Sequence, residues 1–295
     1  MSAIDRPIFL IGTGRCGSSL LYRLLTYHPS LTWQSHYTSY LPGGGSWAAL
    51  HHIHRLPGLS QLLSSAPPKW IPQPTENYRL LNAATDGVFT SPRALTADDM
   101  TPQAARRLRA MVTQHLRASG KRRFALKHTG YPRAAYLLAA FPDAQFIHVK
   151  RDGRSVAASL CKVGWWSGEG HWGWGPLTDE ERAAYLDSDR HELVLADLYW
   201  RILMRHLDEG LRAVPDGQLL ELRYDDLVAH TPEVMDRIRT FCDLPASDLF
   251  RERVLATPMT SDDTRWRQTL TVEEQALIED LLTPDLRAWG FEGTP

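Results

Sequence analysis

The sequence predicts a single α/β domain over residues 1–295, a three-layer sandwich with a parallel sheet between helices and with helical or irregular insertions. Two observations indicate this fold. Short apolar runs typical of buried strands alternate with segments of helical periodicity, and the connections between them are short. In addition, the first apolar run, residues 7–11, leads directly into a glycine-rich loop and a helix, as in parallel α/β sheets.

Predicted strands and helices alternate along most of the chain. The strands are the four short apolar runs, residues 7–11, 123–127, 145–150 and 218–223. Periodicity, capping boxes and Thr-Pro helix starts predict the helices, residues 18–27, 101–117, 131–141, 151–162 and 178–206, with another from 231. Two segments rich in Gly with Pro or Trp are predicted as insertions, residues 41–92 and 164–185.

The composition excludes several classes of protein. With 43% hydrophobic and 23% charged residues, the chain is typical of a globular domain. A net charge of −1 does not favour nucleic-acid binding. We find no apolar run of membrane-spanning length and no signal peptide. The three scattered cysteines, Cys16, Cys161 and Cys242, favour a reducing compartment over a disulfide framework. These features predict a cytoplasmic enzyme.

The glycine loop, in the stretch IFLIGTGRCGSSLLYRLL, matches the dinucleotide fingerprint G-x-G-x-x-G at Gly12, Gly14 and Gly17. That fingerprint needs an acidic residue about 20 positions further on, where it binds the ribose hydroxyls. No acidic residue occurs between Asp5 and Glu76. A dinucleotide site is therefore disfavoured, whereas an acid-free segment around a glycine loop suits an anion.

The same loop matches most of a Walker A motif, but it lacks the lysine. Ser18 follows Gly17 where that lysine would stand, and Arg15 is the cation of the loop. The strand at residues 145–150 leads into Arg151 instead of a magnesium-binding carboxylate. The sequence therefore predicts a phosphate-like ligand held without a metal, and it disfavours ATP and GTP.

Two anion motifs resemble those of sulfotransferases that use 3′-phosphoadenylyl sulfate (PAPS). Arg15 precedes the Gly-Ser-Ser at residues 17–19, and a helix and His-Pro at residues 28–29 follow, which resembles the family's 5′-phosphosulfate loop. Arg151 and Ser159 lie eight positions apart across a strand end and the next helix. This spacing is similar to the pattern with which the family holds the 3′-phosphate.

Two further motifs extend the resemblance from residue 7 to residue 245. Lys127, at the end of RFALK, resembles the strand-end lysine that reaches the transferring group. Residues 221–232, ELRYDDLVAHTP, resemble the segment whose tyrosine, here Tyr224, lies by the adenine. The resemblance implies a P-loop NTPase-like fold and in-line transfer of a sulfuryl group to a hydroxyl or phenol. The acceptor would be a small molecule, glycoside, lipid or peptide, and adenosine 3′,5′-bisphosphate (PAP) would be released.

The resemblance implies a donor site without a metal. Its predicted residues are Arg15, Cys16, Gly17, Ser18, Ser19, Leu20, Arg151, Ser159 and Tyr224. Arg15 and Lys127 would neutralise the charge of the leaving 5′-phosphate, because both cations adjoin the transferring group in the family.

The sequence departs from the cytosolic small-molecule branch of the family and looks nearer to the bacterial and tyrosylprotein branches. Leu20 stands where that branch has a tryptophan that stacks on adenine. Its C-terminal clamp on the 3′-phosphate has only TRWRQTL as a counterpart. Arg265, Trp266 and Arg267 are therefore either clamp residues or part of a solvated loop.

Two histidines are candidates for the base that removes the acceptor proton, since neutral imidazole accepts protons near pH 7. His36 lies 21 positions after Arg15, where the tyrosylprotein branch has its glutamate. His128 directly follows Lys127, where the small-molecule branch has its histidine. We favour His36 and keep His128 as the alternative.

Other interpretations stay open from the sequence. The chain could be a P-loop kinase or nucleotide hydrolase with a degenerate loop, or a nucleotide-binding scaffold without activity. The histidines of residues 51–54 are expected to be solvated or to face the substrate, not to bind a metal. Four tryptophans could form an acceptor lid or anchor a loop: Trp165, Trp166, Trp172 and Trp174. The acceptor and the oligomeric state are not predicted.

Overall fold

The computed structural model describes residues 4–40, 44–51, 72–171, 177–257, 259 and 264–291. Its centre is a five-stranded parallel sheet with the strand order β2-β3-β1-β4-β5. The strands are β1 (Ile8–Ile11), β2 (Leu31–Trp33), β3 (Arg123–Lys127), β4 (Gln145–Lys150) and β5 (Leu219–Arg223). The predicted α/β fold class is confirmed.

Helices connect and cover the strands. The helices of the first half are α1 (Ser18–Leu25), α2 (His36–Tyr40), α3 (Tyr78–Ala84), α4 (Pro102–Ser119), α5 (Ala134–Ala140) and α6 (Gly153–Leu160). Those of the second half are α7 (Asp179–Asp187), α8 (Glu192–Leu211), α9 (Tyr224–Ala229), α10 (Thr231–Phe241), α11 (Asp248–Leu255), α12 (Arg265–Thr269) and α13 (Val272–Ala288). Short 3₁₀ turns occupy Gly44–Leu50, Val88–Thr90, Ala97–Asp99 and Gly168–His171.

The two faces of the sheet carry two separate cores, as the side-chain alternation of a strand requires. In β1, Ile8 and Leu10 pack into one core with α1, α10 and α11. The intervening Phe9 and Ile11 pack into the other core with α4 and α5. All four residues of β1 are buried, because helices cover both faces of a parallel sheet. This arrangement gives the predicted three layers.

The loop between β1 and α1 has a backbone that only particular residues tolerate. Gly14, Arg15 and Gly17 all have positive φ, at 85°, 55° and 89°. At Gly17 a Cβ atom would lie 2.2 Å from Cδ2 of Tyr224, so a side chain has no room there. The loop therefore packs tightly against the start of α9 and turns α1 towards the carboxyl ends of the strands.

The predicted helix over residues 178–206 is two helices in the structure. The capping box of Thr178 and Glu181 is confirmed at the start of α7. The helix is interrupted because Asp189 and Arg190 both adopt positive φ, at 55° and 57°, which a right-handed helix does not allow. His191 then caps α8 by accepting a hydrogen bond from the Leu193 amide.

Several elements were not predicted: β2, α2, α3, α9, α11, α12 and α13. The edge strand β2 has only three residues, which is too short for a periodic signal. Helix α9 directly follows β5 and begins at Tyr224. Because it starts at the carboxyl end of a strand, α9 brings the Tyr224 ring to the glycine loop.

Candidate active site

A cavity of about 810 Å³ lies at the carboxyl ends of β1, β3 and β4. One part is lined by the glycine loop and Arg151, and another part by aromatic side chains. The loops after β1 and β3 are joined by a hydrogen bond from the Gly130 amide to the Gly12 carbonyl, 2.9 Å long. Open α/β sheets place their ligand sites at this edge.

Four predicted donor residues from separate segments meet at the glycine loop. Arg15 donates through Nε to Ser159 Oγ at 3.0 Å. Arg151 donates to the Arg15 carbonyl at 2.9 Å, and its guanidinium lies 4.1 Å from the centre of the Tyr224 ring. Burial, followed by the positive charge of Arg151, lowers the pKa of Arg15. Two cations held this close favour an anion between them.

The loop residues differ in what they present to the cavity. Gly17, Ser18, Ser19 and Leu20 line it. Cys16 is fully buried instead, with its sulfur 2.5 Å from where a Cβ of residue 12 would lie, so the thiol points into the protein interior. The Leu20 amide donates to the Gly17 carbonyl at 3.0 Å. Of the amides in the first turn of α1, those of Ser18 and Ser19 are therefore best placed for an anion.

Lys127 reaches from the end of β3 towards the start of α1. Its Nζ donates to Ser19 Oγ at 2.5 Å and lies 2.8 Å from Oε1 of Glu76. The side chain is only 9% exposed, so water screens its charge weakly. The Lys127 ammonium is thus fixed between the anion loop and a carboxylate.

Sequence reasoning did not single out Glu76. It lies in the cavity wall, where Oε1 also accepts a hydrogen bond from Thr129 Oγ1 at 3.0 Å. One sequence signal pointed to it, since Glu76 ends the long acid-free segment that begins after Asp5. Among the described residues that line the cavity, Glu76 is the one carboxylate.

The two candidate histidines lie in different environments. His36 begins α2, its Nδ1 accepts from the Gln73 amide at 3.1 Å, and it is not among the described residues that line the cavity. His128 does line the cavity but is 2% exposed, with its ring edge against Phe89. Burial, followed by the charges of Arg133 and Lys127, lowers the pKa of His128 to about 3.

The predicted C-terminal clamp lies beside α6. Trp266 is buried between two guanidinium groups, those of Arg154 at 4.8 Å and Arg267 at 4.7 Å from its ring centre. Arg265 and Arg267 are exposed, and neither is among the described cavity-lining residues. Helix α12 therefore supports the helix that carries Ser159, and a direct clamp on the ligand stays a prediction.

Aromatic side chains form another part of the cavity wall. Its rings are those of Tyr78, Phe89, Tyr131, Trp165 and Tyr199. Buried Tyr199 donates to the Thr13 carbonyl at 2.9 Å, and burial raises its pKa.

The Trp-rich loop divides in two. Trp165 is 50% exposed and lines the cavity, whereas Trp166 is buried edge-on against Tyr199. One tryptophan thus faces the cavity and the next anchors the loop. Trp172 and Trp174 lie outside the described residues.

His51, the first residue of the histidine-rich segment, is fully buried. It is hydrogen-bonded to Thr32 and Ser35 and stacked on Trp33. His51 therefore packs in the protein interior, whereas we predicted that it would be solvated or would face the substrate. Residues 52–54 lie outside the described part of the chain. Within that part, no group of three or more His, Cys, Asp or Glu side chains is arranged to hold a metal.

The parallel sheet, with a cavity and two arginines at the carboxyl ends of its strands, defines an α/β protein built from strand–loop–helix units. The model of the sulfotransferase family matches residues 7–248, and the chain belongs to this family. Its members are transferases that move a sulfuryl group, so the predicted enzyme class is confirmed.

Individual relatives are distant. The chain is 26% identical over 319 residues to the omega-hydroxy-beta-dihydromenaquinone-9 sulfotransferase Stf3 of Mycobacterium bovis, with 98% of this chain and 76% of that protein covered. It is 23% identical over 292 residues to an uncharacterized protein of Aquifex aeolicus, of which it spans 31% while 95% of this chain is covered. The crystal structure of sulfotransferase STF1 from Mycobacterium tuberculosis superposes with a TM-score of 0.56 at 19% identity. That match covers 95% of this chain and 76% of the other and confirms the fold.

No helix in the described ranges is both long and apolar enough to cross a bilayer.

Proposed function

We propose that this sulfotransferase takes its sulfuryl group from PAPS and transfers it to a hydroxyl or phenol of a bulky, ring-bearing acceptor, releasing PAP. The observation that carries this proposal is the meeting of Arg15, Arg151 and Ser159 at one end of the cavity. A donor with phosphate groups at both its 5′ and 3′ positions needs two anion subsites, and each of the two arginines lies between the strand and the helix of one strand–loop–helix unit.

In this assignment the first turn of α1 and Arg15 bind the 5′-phosphosulfate, and Arg151 with Ser159 binds the 3′-phosphate. Burial, followed by repulsion from the Arg151 guanidinium, lowers the pKa of Arg15, and bound anions would offset both effects. Tyr224 lies between Gly17 and the Arg151 guanidinium, so its ring holds Arg151 in place. This contact supports a positioning role for Tyr224 in addition to its predicted place near adenine.

Catalysis in this assignment is positioning plus neutralisation of charge, as in phosphoryl transfer. Negative charge develops on the bridging oxygen of the 5′-phosphate as the sulfur–oxygen bond breaks. Lys127, which touches Ser19 of the loop, and Arg15 are the two cations that would neutralise it. The nearly buried position of Lys127 strengthens this interaction because little water screens it.

The acceptor class is inferred from the aromatic part of the cavity. The rings of Phe89, Tyr131 and Trp165 offer apolar faces to a ring or an unsaturated chain. The mycobacterial relative is named for a menaquinone acceptor, which is also ring-bearing and apolar. At 26% identity we carry over the class of acceptor and not the molecule itself.

The test is a binding panel followed by an acceptor screen. PAP should raise the melting temperature without added metal, and ATP with magnesium or NAD should not. A response to ATP with magnesium alone would instead support the kinase or hydrolase interpretation. Quinols, phenols and glycosides are then incubated with PAPS and analysed by mass spectrometry for the gain of one sulfuryl group. PAP binding without turnover of any acceptor would support a non-catalytic scaffold.

A further inference from the structure

Among the described residues that line the cavity, Glu76 is the single carboxylate, and it lies beside Lys127. Glu76 is 25% exposed there, and its Oε1 lies 2.8 Å from Lys127 Nζ. Thr129 holds the same oxygen through a 3.0 Å hydrogen bond. Glu76 directly follows a residue that pairs with the segment after β2, since the Thr75 amide donates to the Gln34 carbonyl at 3.0 Å. Glu76 is thus held in position by the backbone pairing of its neighbour Thr75 and by two side chains at the end of β3.

The contact with Lys127 locates Glu76 relative to the proposed reaction. Lys127 is the cation proposed to meet the transferring group, and it also touches Ser19 of the donor loop. An acceptor oxygen that attacks this group must come within a few ångströms of Lys127. Because Glu76 Oε1 is already in contact with Lys127, there are positions beside Lys127 from which such an oxygen can reach the carboxylate with a hydrogen bond, which a general base requires.

The two histidines satisfy this geometry less well. Nδ1 of His36 is engaged by the Gln73 amide, and the residue does not belong to the described cavity wall. His128 is in the wall but is 2% exposed. Its neighbours Arg133 and Lys127 also oppose a positive charge on the imidazole, which would form if it accepted a proton. A carboxylate beside Lys127 becomes neutral instead, which adds no positive charge.

We propose that Glu76 is the catalytic base of this sulfotransferase, an assignment that rests on the proposed donor and acceptor. The acceptor hydroxyl gives its proton to a Glu76 carboxylate oxygen while its own oxygen forms a bond to sulfur. The bond between sulfur and the bridging oxygen of the 5′-phosphate breaks, and its electron pair stays on that oxygen, beside Lys127 and Arg15. PAP leaves, and the Glu76 proton passes to water.

The test compares Glu76→Gln with wild type and with Glu252→Gln, a matched substitution at an exposed position of α11. The probes are PAP for binding and substituted phenols, from 4-methylphenol to 4-nitrophenol, for transfer from PAPS. Glu76→Gln should lower turnover of 4-methylphenol by about 10²–10⁴ and change PAP affinity by less than about threefold. Glu252→Gln should match wild type in both measurements.

The phenol series separates a base from a residue that only orients Lys127. An acidic phenol needs little help to lose its proton, so the loss in Glu76→Gln should shrink steadily towards 4-nitrophenol. Equal losses along the series, or a parallel loss of PAP affinity, would overturn the proposal. A larger loss of turnover in His36→Ala or His128→Ala than in Glu76→Gln would overturn it as well.

If the proposed function itself is wrong, the wild-type protein already fails the assay. If only the assignment of Glu76 is wrong, wild type is active and the variant does not behave as expected. Wild type that neither binds PAP nor consumes PAPS contradicts the donor assignment. If wild type binds PAP but sulfates no phenol, the same variants are compared in the slow transfer from PAPS to water, which requires the same proton removal. Unchanged transfer to water in Glu76→Gln would then overturn the assignment of Glu76.

Discussion

Single side chains explain why the anion site is also a strained site. Arg15 combines a positive φ of 55° with a partly buried guanidinium that faces Arg151. Both features cost free energy without an anion. Ser159 offsets part of this cost by accepting a hydrogen bond from Arg15. Substitutions here should therefore affect ligand binding far more than folding.

Arg151→Ala and Ser159→Ala should weaken PAP binding by roughly ten- to a hundredfold, because each removes a charge-assisted contact to the 3′-phosphate. Adenosine 5′-phosphate lacks that group, so its affinity should change much less. Calorimetric titration with both ligands measures the difference. Arg237→Ala, at an exposed position of α10, is the control. Equal losses for both ligands would contradict the assignment.

Lys127→Ala and Arg15→Ala should reduce turnover more than donor affinity, because the charge they meet grows in the transition state. Steady-state kinetics with PAPS separates kcat from KM. A rise in KM for PAPS at unchanged kcat would mean that both residues only bind the donor.

At the scale of elements, the loop, α1 and α9 act as one unit. Gly17 permits this contact, since any Cβ there would clash with the Tyr224 ring on which Arg151 lies. The packing of a single glycine therefore controls the position of an arginine from another strand–loop–helix unit.

Gly17→Ala should lower both PAP affinity and thermal stability, because the new methyl group must displace Tyr224. Gly120→Ala is the control that separates the effect of backbone strain from the effect of displacing Tyr224. Gly120 also has positive φ, at 65°, but a Cβ there meets no atom within 4 Å. The Gly120→Ala variant should therefore lose only about 1–2 kcal/mol of unfolding free energy and bind PAP as wild type does. Similar PAP affinities in both variants would mean that Tyr224 does not position Arg151.

The elements also show what could be predicted from the sequence. A local sequence pattern located three of the cations. Arg15 lies in the glycine loop after β1, and Lys127 and Arg151 lie at or just after strand ends. Glu76 lies in no such local pattern, because Thr129, which donates a hydrogen bond to it, is 53 positions away in the sequence. The break between α7 and α8 was missed because left-handed Asp189 and Arg190 have no Gly or Pro signal.

At the scale of the whole molecule, buried histidines make stability depend on pH. His115 is fully buried against Phe124, and its Nδ1–H donates a hydrogen bond to the Met111 carbonyl. Burial lowers the pKa of His115 to about 4. Burial, with nearby Arg133 and Lys127, lowers the pKa of His128 to about 3. Between these values and about 6.5 the unfolded chain binds protons that the folded protein does not. Stability is therefore lost as the pH falls through this window.

The melting temperature should consequently decrease between pH 7 and pH 4, and His115→Gln should decrease less steeply than wild type because it cannot titrate. The expected difference in unfolding free energy is at most about 3 kcal/mol. Denaturant titrations at several pH values measure it. Parallel pH profiles for variant and wild type would show that His115 is not responsible.

The order of the strands has a consequence for the growing polypeptide. The first strand is central, and it pairs with β3 and β4, whose partners for Ile8 are Ala125 and Gln145. On a ribosome, β1 must wait for more than a hundred residues before either neighbour exists. Contacts this distant in sequence slow folding and leave apolar strands exposed meanwhile. The proposed anion site forms later still, because Tyr224 must be synthesised before its ring can hold Arg151. The proposed donor site thus assembles only after all five strands exist.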